Sequence, residues 1–273
     1  MPDDRQPWAL ILGASSGFGE ATARALATAG YDIAGVHLDR RQGMEHVAQI
    51  RAAIEAEGHE AFYENMNAAD DEKRAAFLAA LRERFDAQAS ATGRLPYVRV
   101  MLHSLAFGTL KPFLAEDAES SINRKNLEMT LDVMANSLVY WVQDLWRGGF
   151  LGEGSHIYAL TSEGSSRVIR NYGAVSAAKT ALESHCRQLA MELARNGTGV
   201  TVNAIRAGVT VTPALMQIPE RETLMAQAID RNPMGRMTTT QDVARAIVAL
   251  SGEGTHWITG NVIGIDGGEF VAG

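Results

Sequence analysis

The alternation of short apolar runs with longer runs of helical periodicity most constrains the fold of this 273-residue chain. Apolar runs rich in β-branched residues predict strands, and apolar residues spaced three and four apart predict helices. We predict seven strands, at residues 8–12, 32–37, 60–64, 97–103, 156–160, 199–205 and 261–265. Helices are predicted between them, at about 17–29, 43–57, 70–88, 126–147, 173–195 and 239–251. Repeated β-α units indicate an α/β fold, a doubly wound parallel sheet with helices on both faces and one ligand-binding edge.

The chain shows no internal boundary that would divide it into domains. No linker rich in Pro, Ser or Gly and no repeat interrupts the alternation, and 46% hydrophobic residues can form a large core. We therefore predict a single domain over residues 1–273. Two long loops, at about 104–125 and 206–238, fall at the ligand edge, where such loops commonly form substrate pockets. We expect the second to be the substrate loop.

Charge and cysteine content exclude several classes of protein. A formal net charge of −7 leaves no basic face for nucleic acid. The single cysteine, Cys186, can form no internal disulfide and has no neighbours at metal-ligand spacing, so we predict no metal site and a cytoplasmic location. No apolar stretch approaches the roughly 18 residues of a membrane helix, and the acidic residues 1–6 lack the basic start of a secretory signal. We expect a soluble protein with no membrane partner.

A glycine-rich turn joins the first predicted strand to the first helix, with the spacing Gly13-x3-Gly17-x-Gly19. Glycines at this place let the backbone approach a pyrophosphate, whose charge lies against the free amides and positive dipole of the helix. The turn therefore predicts a Rossmann-like dinucleotide site, and a tight structural turn is the alternative. The residues predicted to contact the cofactor here are Gly13, Ser15, Ser16, Gly17, Phe18 and Gly19.

The end of the second predicted strand is the place where the adenosine ribose is selected. Asp39 can accept a ribose 2′-hydroxyl and favours NADH, whereas Arg40 and Arg41 can pair with a 2′-phosphate and favour NADPH. We expect NADPH rather than NADH, because two adjacent cations point to an anionic ligand. Asn67 and Ala68, after the third strand, are predicted to cover the adenine, with a plain turn as the alternative.

A tyrosine and a lysine share one face of the helix predicted at 173–195. Tyr172 and Lys179 are seven residues apart, so at about 100° per residue they lie on one stripe two turns apart. An ammonium near a phenol should lower the pKa of the tyrosine, which suits a proton donor. The alternative is a packing tyrosine and a lysine that extends to solvent. Ser162 follows the fifth strand, where its hydroxyl could orient a carbonyl or only cap a turn.

Together these motifs resemble the short-chain dehydrogenase/reductase superfamily over residues 8–268. The resemblance adds Val202-Asn-Ala-Ile-Arg-Ala-Gly208 and Ile265-Asp-Gly-Gly268 to the glycine turn and the Ser, Tyr and Lys set. The Tyr-x6-Lys spacing and the stretch His103-Ser-Leu-Ala-Phe107 are similar to enoyl-acyl-carrier-protein reductases. The glycine turn and Ser162 are similar to ketoreductases and to a smaller NADPH-dependent branch of enoyl reductases.

The resemblance implies hydride transfer from NAD(P)H to an enoyl thioester, carried by a carrier protein or CoA. It implies that Tyr172 stabilises the enolate, Lys179 holds the nicotinamide ribose and Ser162 assists. It places Ser104, Leu105, Ala106, Ala207, Gly208, Thr210 and Thr212 on the nicotinamide side. It places Phe107, Leu215, Met216, Ile218, Leu224 and Met225 against the acyl chain. A homotetramer is implied, and a ketoreductase or a non-catalytic NAD(P) sensor remain the alternative functions.

Overall fold

The computed structural model describes residues 4–272 and contains one parallel sheet of seven strands. The strands are β1 (Gln6–Leu12), β2 (Asp32–His37), β3 (Ala61–Asn65), β4 (Pro96–His103), β5 (His156–Thr161), β6 (Thr201–Ala207) and β7 (Val262–Ile265). Their order is β3-β2-β1-β4-β5-β6-β7, with every neighbouring pair parallel. The predicted doubly wound α/β fold is confirmed. Residues 1–3 and 273, which the domain prediction includes, lie outside the described residues.

Helices connect the strands as the periodicity predicts, with two additions. They are α1 (Gly17–Thr28), α2 (Met44–Ala56), α3 (Asp71–Thr92), α4 (Arg124–Leu131), α5 (Ser137–Arg147), α6 (Gly173–Arg195), α7 (Arg221–Arg231), α8 (Thr240–Leu250) and α9 (Glu269–Ala272). The helix predicted at 126–147 is divided by a π-helical turn over Asp132–Asn136, which rotates the residues after it relative to those before. The added helices are α7, inside the predicted substrate loop, and α9 near the end of the chain.

The central strand β1 shows how the sheet forms two cores. Trp8, Leu10 and Leu12 point into one core, which α3, α5 and α6 complete. Ala9 and Ile11 point into the other, which α1, α2 and α8 complete. All five residues are fully buried. Because side chains alternate along a strand, this double burial explains why β1 reads as an unbroken apolar run.

The last residue of β4, His103, makes the stability of the fold depend on pH. Its imidazole is fully buried, with Nε2 2.9 Å from the Ser137 hydroxyl, and burial lowers its pKa from 6.5 to about 3. Below about pH 6.5 this histidine is protonated in the unfolded chain but stays neutral in the folded protein. The free energy of unfolding therefore falls as the pH drops below that value.

We expect this histidine to contribute about 2 kcal/mol of the stability lost between pH 7 and pH 5. Chemical denaturation of the parent and of His103→Gln at both pH values measures the contribution. Burial also lowers the pKa of His156, to about 4, so the variant should still lose the stability that depends on His156. It should not lose the contribution of His103. An equal loss in parent and variant would contradict the assignment.

Candidate active site

A cleft of about 990 Å³ opens along the carboxyl ends of the strands. Most of the predicted site residues line it: Gly13, Ser15, Ser16, Gly17, Phe18, Asn67, Ala68, Ser104, Leu105, Ala106, Phe107, Ser162, Tyr172, Lys179, Ala207, Gly208, Thr212, Leu215, Ile218 and Leu224. Seven others lie outside its lining: Gly19, Asp39, Arg40, Arg41, Thr210, Met216 and Met225. The sheet edge therefore brings together, from the ends of five strands and from α6 and α7, most of the residues that the sequence singled out.

The glycine turn places the start of α1 at the floor of the cleft. Gly13 and Gly17 have φ values of +89° and +55°, which favour glycine. A Cβ on Gly19 would lie 1.9 Å from the Gly13 carbonyl oxygen, so Gly19 serves the packing of α1 on the turn and not the lining of the cleft. The Ser16 side chain makes no capping bond, which leaves the first amides of α1 for an anion. This backbone fits the pyrophosphate of a dinucleotide.

At the adenosine end, Val36, His37 and Leu38 line the cleft at the end of β2, and Asp39 does not. The Asp39 carboxylate is 2.9 Å from His37 Nδ1, and the Asp39 backbone bonds to the Asn65 side chain. Asp39 therefore reaches the cleft only through the imidazole. The sequence signal that could have found His37 is its place as the final residue of the predicted strand.

The two arginines after Asp39 lie at the surface beside the adenosine end. Arg40 and Arg41 are exposed, and neither guanidinium makes a hydrogen bond or ion pair within residues 4–272. Their positive charge is therefore not neutralised by a carboxylate of the described chain.

Tyr172 and Ser162 meet in the middle of the cleft. Tyr172 is the residue just before α6, and Asn171 precedes it with a left-handed φ of +59°. A Cβ on Gly164 would lie 2.8 Å from the tyrosine ring, so only glycine lets the ring lie over this turn. The Ser162 hydroxyl lies beside the phenol and accepts a hydrogen bond from the Gly164 amide at 3.2 Å.

Lys179 is buried beneath the same part of the cleft. Its Nζ donates to the carbonyl oxygens of Leu160, at 2.6 Å, and Leu105, at 3.3 Å. An ammonium has three N–H donors, so these two bonds leave one for a ligand. Burial lowers the pKa of Lys179 to about 8.

The expected lowering of the tyrosine pKa is wrong. Burial raises the pKa of Tyr172, the bond from Ser162 opposes the rise, and the Glu163 carboxylate adds to it. The Lys179 ammonium is directed to the carbonyls of Leu160 and Leu105, and it is not among these causes. The phenol is consequently protonated at neutral pH, which makes it a hydrogen-bond donor.

Three residues that were predicted on the nicotinamide and substrate sides do not line the cleft. Thr210 does not line the cleft, because it is buried and its hydroxyl donates to the Gly208 carbonyl at 2.9 Å. Met216 is 46% exposed, since the turn over Leu215–Gln217 directs Leu215 inward instead. Met225, on α7, is half-buried outside the cleft.

The opposite apolar wall comes from residues that the sequence did not single out. Met129, Val133 and Met134 line it from α4 and the π-helical turn, and Val175 lines it from α6. Helical periodicity does not distinguish such side chains from core residues, and the packing of α4 against α6 places them at the cleft.

The described part of the chain contains neither a membrane-spanning helix nor a cluster of metal-ligating side chains. Within residues 4–272, no helix is long and apolar enough to cross a membrane. In the same part of the chain, no group of three or more His, Cys, Asp or Glu side chains could hold a metal ion.

The sheet order, the glycine turn at its centre and the Ser, Tyr and Lys set at β5 and α6 define a fold and a site of the short-chain dehydrogenase/reductase type. Residues 13–269 match the family model described as Enoyl-(Acyl carrier protein) reductase. The chain belongs to this family.

The relatives include enoyl reductases and a protein described as aldehyde reductase-like. The NADH-dependent enoyl-acyl-carrier-protein reductase FabI of Aquifex aeolicus is 31% identical over 176 residues, which cover 64% of this chain and 63% of that protein. An NADPH-dependent aldehyde reductase-like chloroplastic protein of Arabidopsis thaliana is 26% identical over 266 residues, covering 95% and 93%. The match to the first relative thus spans less than two thirds of its length.

Solved structures show the same fold for both activities. An enoyl-acyl-carrier-protein reductase (NADH) from Aquifex aeolicus superposes with a TM-score of 0.80 at 23% identity, covering 99% of this chain and 98% of that one. The angucycline C-6 ketoreductase LanV with bound NADP also has a TM-score of 0.80 at 23% identity, covering 98% and 97%. At these identities the likeness extends to the fold alone.

Proposed function

We propose that this protein reduces the C2–C3 double bond of an enoyl thioester with NAD(P)H. The observation that carries the proposal is the placement of Tyr172 and Lys179, at Tyr-x6-Lys spacing, in the cleft that the glycine turn enters. The enoyl reductase family model and the Aquifex relative support the same reaction.

In the proposed reaction, the nicotinamide supplies a hydride to C3 when the cofactor is bound. Negative charge then develops on the thioester oxygen, and the Tyr172 phenol donates a hydrogen bond to it. A proton completes the reduction at C2, delivered through the phenol. Lys179 uses its remaining N–H to hold a ribose hydroxyl, and Ser162 keeps the phenol oriented.

The acyl chain is proposed to lie between two apolar walls of the cleft. Phe107, Met129 and Val133 form one wall, and Leu215 and Ile218 form the other. The second wall belongs to segment 206–238, which we propose to be the substrate loop. Methionine side chains adapt to ligands of varied shape, which suits acyl chains of different length.

A ketoreductase is the second candidate function. Ser162 beside Tyr172 in the cleft is an arrangement suited to a carbonyl oxygen, and carbonyl reductases are as similar to this chain as enoyl reductases are. In this function Tyr172 donates its proton to the substrate oxygen after hydride addition to the carbonyl carbon.

A substrate screen separates these functions. The purified protein is assayed with NADPH and NADH against crotonyl-CoA, an enoyl carrier-protein substrate and the matching 3-oxo thioesters. Faster turnover of the enoyl thioesters is expected. Faster turnover of the 3-oxo thioesters would replace the proposal with the ketoreductase, and cofactor binding without turnover would indicate a sensor.

We propose NADPH as the preferred cofactor, supported by the unpaired guanidiniums of Arg40 and Arg41 beside the adenosine end. Replacing both with Ala is expected to raise the KM for NADPH about tenfold and that for NADH less than twofold, because only NADPH carries the 2′-phosphate. Steady-state kinetics with each cofactor measure this. Arg51→Ala, an exposed arginine on α2 paired with Glu55, is the control. A larger effect on NADH would reverse the preference.

We also propose a cytoplasmic homotetramer. Trp146 on α5 and Met191 on α6 are large apolar side chains at the surface, 45% and 37% exposed, and subunit contacts would bury them. Light scattering coupled to size-exclusion chromatography measures the mass of the assembly, and a monomer would contradict the proposal.

A further inference from the structure

A cluster of charged side chains lies at the cleft beside the segment that follows Ser162. It contains three carboxylates, three guanidiniums and one aromatic ring, and two of the guanidiniums lie over the ring. Its members are Glu163, Arg167, Arg206, Arg231, Asp266, Glu269 and Phe270, of which Arg167 and Arg231 stand behind the lining. None of these side chains has a part in the proposed chemistry.

The carboxylate of Glu269 is packed against the loop that follows β6. Glu269 is 2% exposed, and its Oε2 accepts a hydrogen bond from the Val209 amide at 3.1 Å. A Cβ on Gly208 would lie 2.7 Å from the same oxygen and 2.3 Å from the Thr238 hydroxyl. The loop backbone at 208–209 is therefore seated directly on this buried carboxylate.

Arg231, at the end of α7, connects this carboxylate to the catalytic segment. Its Nη2 lies 3.4 Å from Glu269 Oε1 and 3.5 Å from Glu163 Oε1, and Glu163 is the residue after Ser162. A second connection runs through Arg167, which contacts Glu163 at 3.7 Å and donates to the Phe270 carbonyl at 2.7 Å. Two guanidiniums thus join the segment after β5 to α9.

The ring of Phe270 closes this arrangement. The guanidinium carbons of Arg206 and Arg167 lie 3.6 Å and 4.7 Å from the ring centroid. Cations over an aromatic face are attracted to it, so α9 is held by its ring as well as by Glu269. A helix of four residues has little stability of its own, and these contacts hold it at the cleft.

We propose that Glu269 is a positioning residue, which sets the distance between the 207–209 backbone and Tyr172 so that the nicotinamide end of the cofactor is seated between them. Removing the carboxylate leaves the Val209 amide without its acceptor and Arg231 with one partner instead of two. The loop then moves independently of the catalytic segment. The inference rests on the proposed placement of the nicotinamide beside residues 207–212, and not on the identity of the substrate.

The test compares a whole cofactor with a fragment that lacks nicotinamide. Dissociation constants of NADPH and of 2′-phospho-ADP-ribose are measured by calorimetry for the parent, Glu269→Ala and Glu269→Gln. Glu269→Ala is expected to weaken NADPH about tenfold and the fragment less than twofold. Glu269→Gln keeps an oxygen acceptor for Val209 and loses the charge, so an intermediate effect is expected. NADH and ADP-ribose are compared in the same way.

Asp32→Asn is the matched control, because Asp32 is also a buried carboxylate, 4% exposed, at the opposite end of the sheet. It accepts hydrogen bonds from the side chains of Gln6 and Gln88 and from the Glu60 amide. We expect it to lower stability and leave the ratio of the two dissociation constants unchanged.

Equal weakening of cofactor and fragment in both Glu269 variants, or no weakening, would overturn the inference. The same holds if Asp32→Asn shifts the ratio as far as Glu269→Ala does. The readout is binding, so a parent that binds NADPH and turns over no enoyl thioester refutes the proposed reaction and leaves this test intact. A parent in which the fragment binds as tightly as the whole cofactor would refute the nicotinamide site itself.

Discussion

Replacing Tyr172 with Phe is expected to lower kcat by roughly 10²–10³-fold and to change the affinity for NAD(P)H by less than about twofold. The phenylalanine ring keeps the contact with Gly164 and the burial of the tyrosine, so the only loss is the hydroxyl that Ser162 orients. That hydroxyl is protonated at neutral pH and is the donor for charge that develops on the substrate oxygen. Steady-state kinetics and a fluorescence titration with the reduced cofactor measure the two effects.

Tyr158→Phe is the control for this experiment. Tyr158 is a buried tyrosine in the other core, where its hydroxyl donates to the Leu250 carbonyl at 2.7 Å. Its loss should lower stability and leave kcat within about twofold. If Tyr172→Phe turns over as fast as the parent, the donor is another group, with Ser162 the first to test.

Replacing Lys179 with Met is expected to weaken NAD(P)H binding about tenfold or more and to lower kcat by roughly 10²-fold. Methionine fills a similar volume, so the main loss is the ammonium bonded to the Leu160 and Leu105 carbonyls. Lys73→Met, an exposed lysine on α3, is the control and should leave both quantities unchanged.

The pH dependence of cofactor affinity is a second test of the role of the Lys179 ammonium. Because burial lowers its pKa to about 8, the free protein loses this positive charge as the pH rises through that value, and cofactor affinity should fall with it. The affinity of Lys179→Met should not change in this range. The free energy of unfolding of the cofactor-free protein should rise over the pH range in which the cofactor affinity falls. Between pH 8 and 10.5 the unfolded chain binds a proton that the folded chain has released, so this group makes stability rise. A parent affinity that does not change up to pH 9.5 would contradict the role of the ammonium.

The order of strands and helices could be predicted because it depends on local patterns. Residues 32–37 were predicted as a strand and form β2 with those bounds, since an apolar run between turns has few other solutions. The π-helical turn at Asp132–Asn136 could not be predicted from periodicity. Its backbone hydrogen bonds span five residues instead of the four of an α-helix, and packing against α6 stabilises it.

Within the cleft, the errors have a common cause. Asp39 was predicted to bind the ribose because a carboxylate can accept its 2′-hydroxyl, but this carboxylate lies 2.9 Å from His37 Nδ1 and does not line the cleft. The pKa of Tyr172 was expected to fall because of Lys179, and burial raises it instead. Both outcomes depend on what surrounds a side chain in three dimensions.

The chain alone determined the parallel sheet, the glycine turn at its first crossover and the shared helix face of Tyr172 and Lys179. These follow from spacings of a few residues, which strand and helix geometry converts directly into position. Only the tertiary structure decided how the phenol titrates and which carboxylate supports the loop after β6. The hydrogen bond from the Val209 amide to Glu269 joins residues 60 positions apart in the sequence. How much it stabilises the loop depends on the exclusion of water by both cores and the cleft walls. Such contacts have no local signature, because they exist only after the sheet has brought the ends of its strands together.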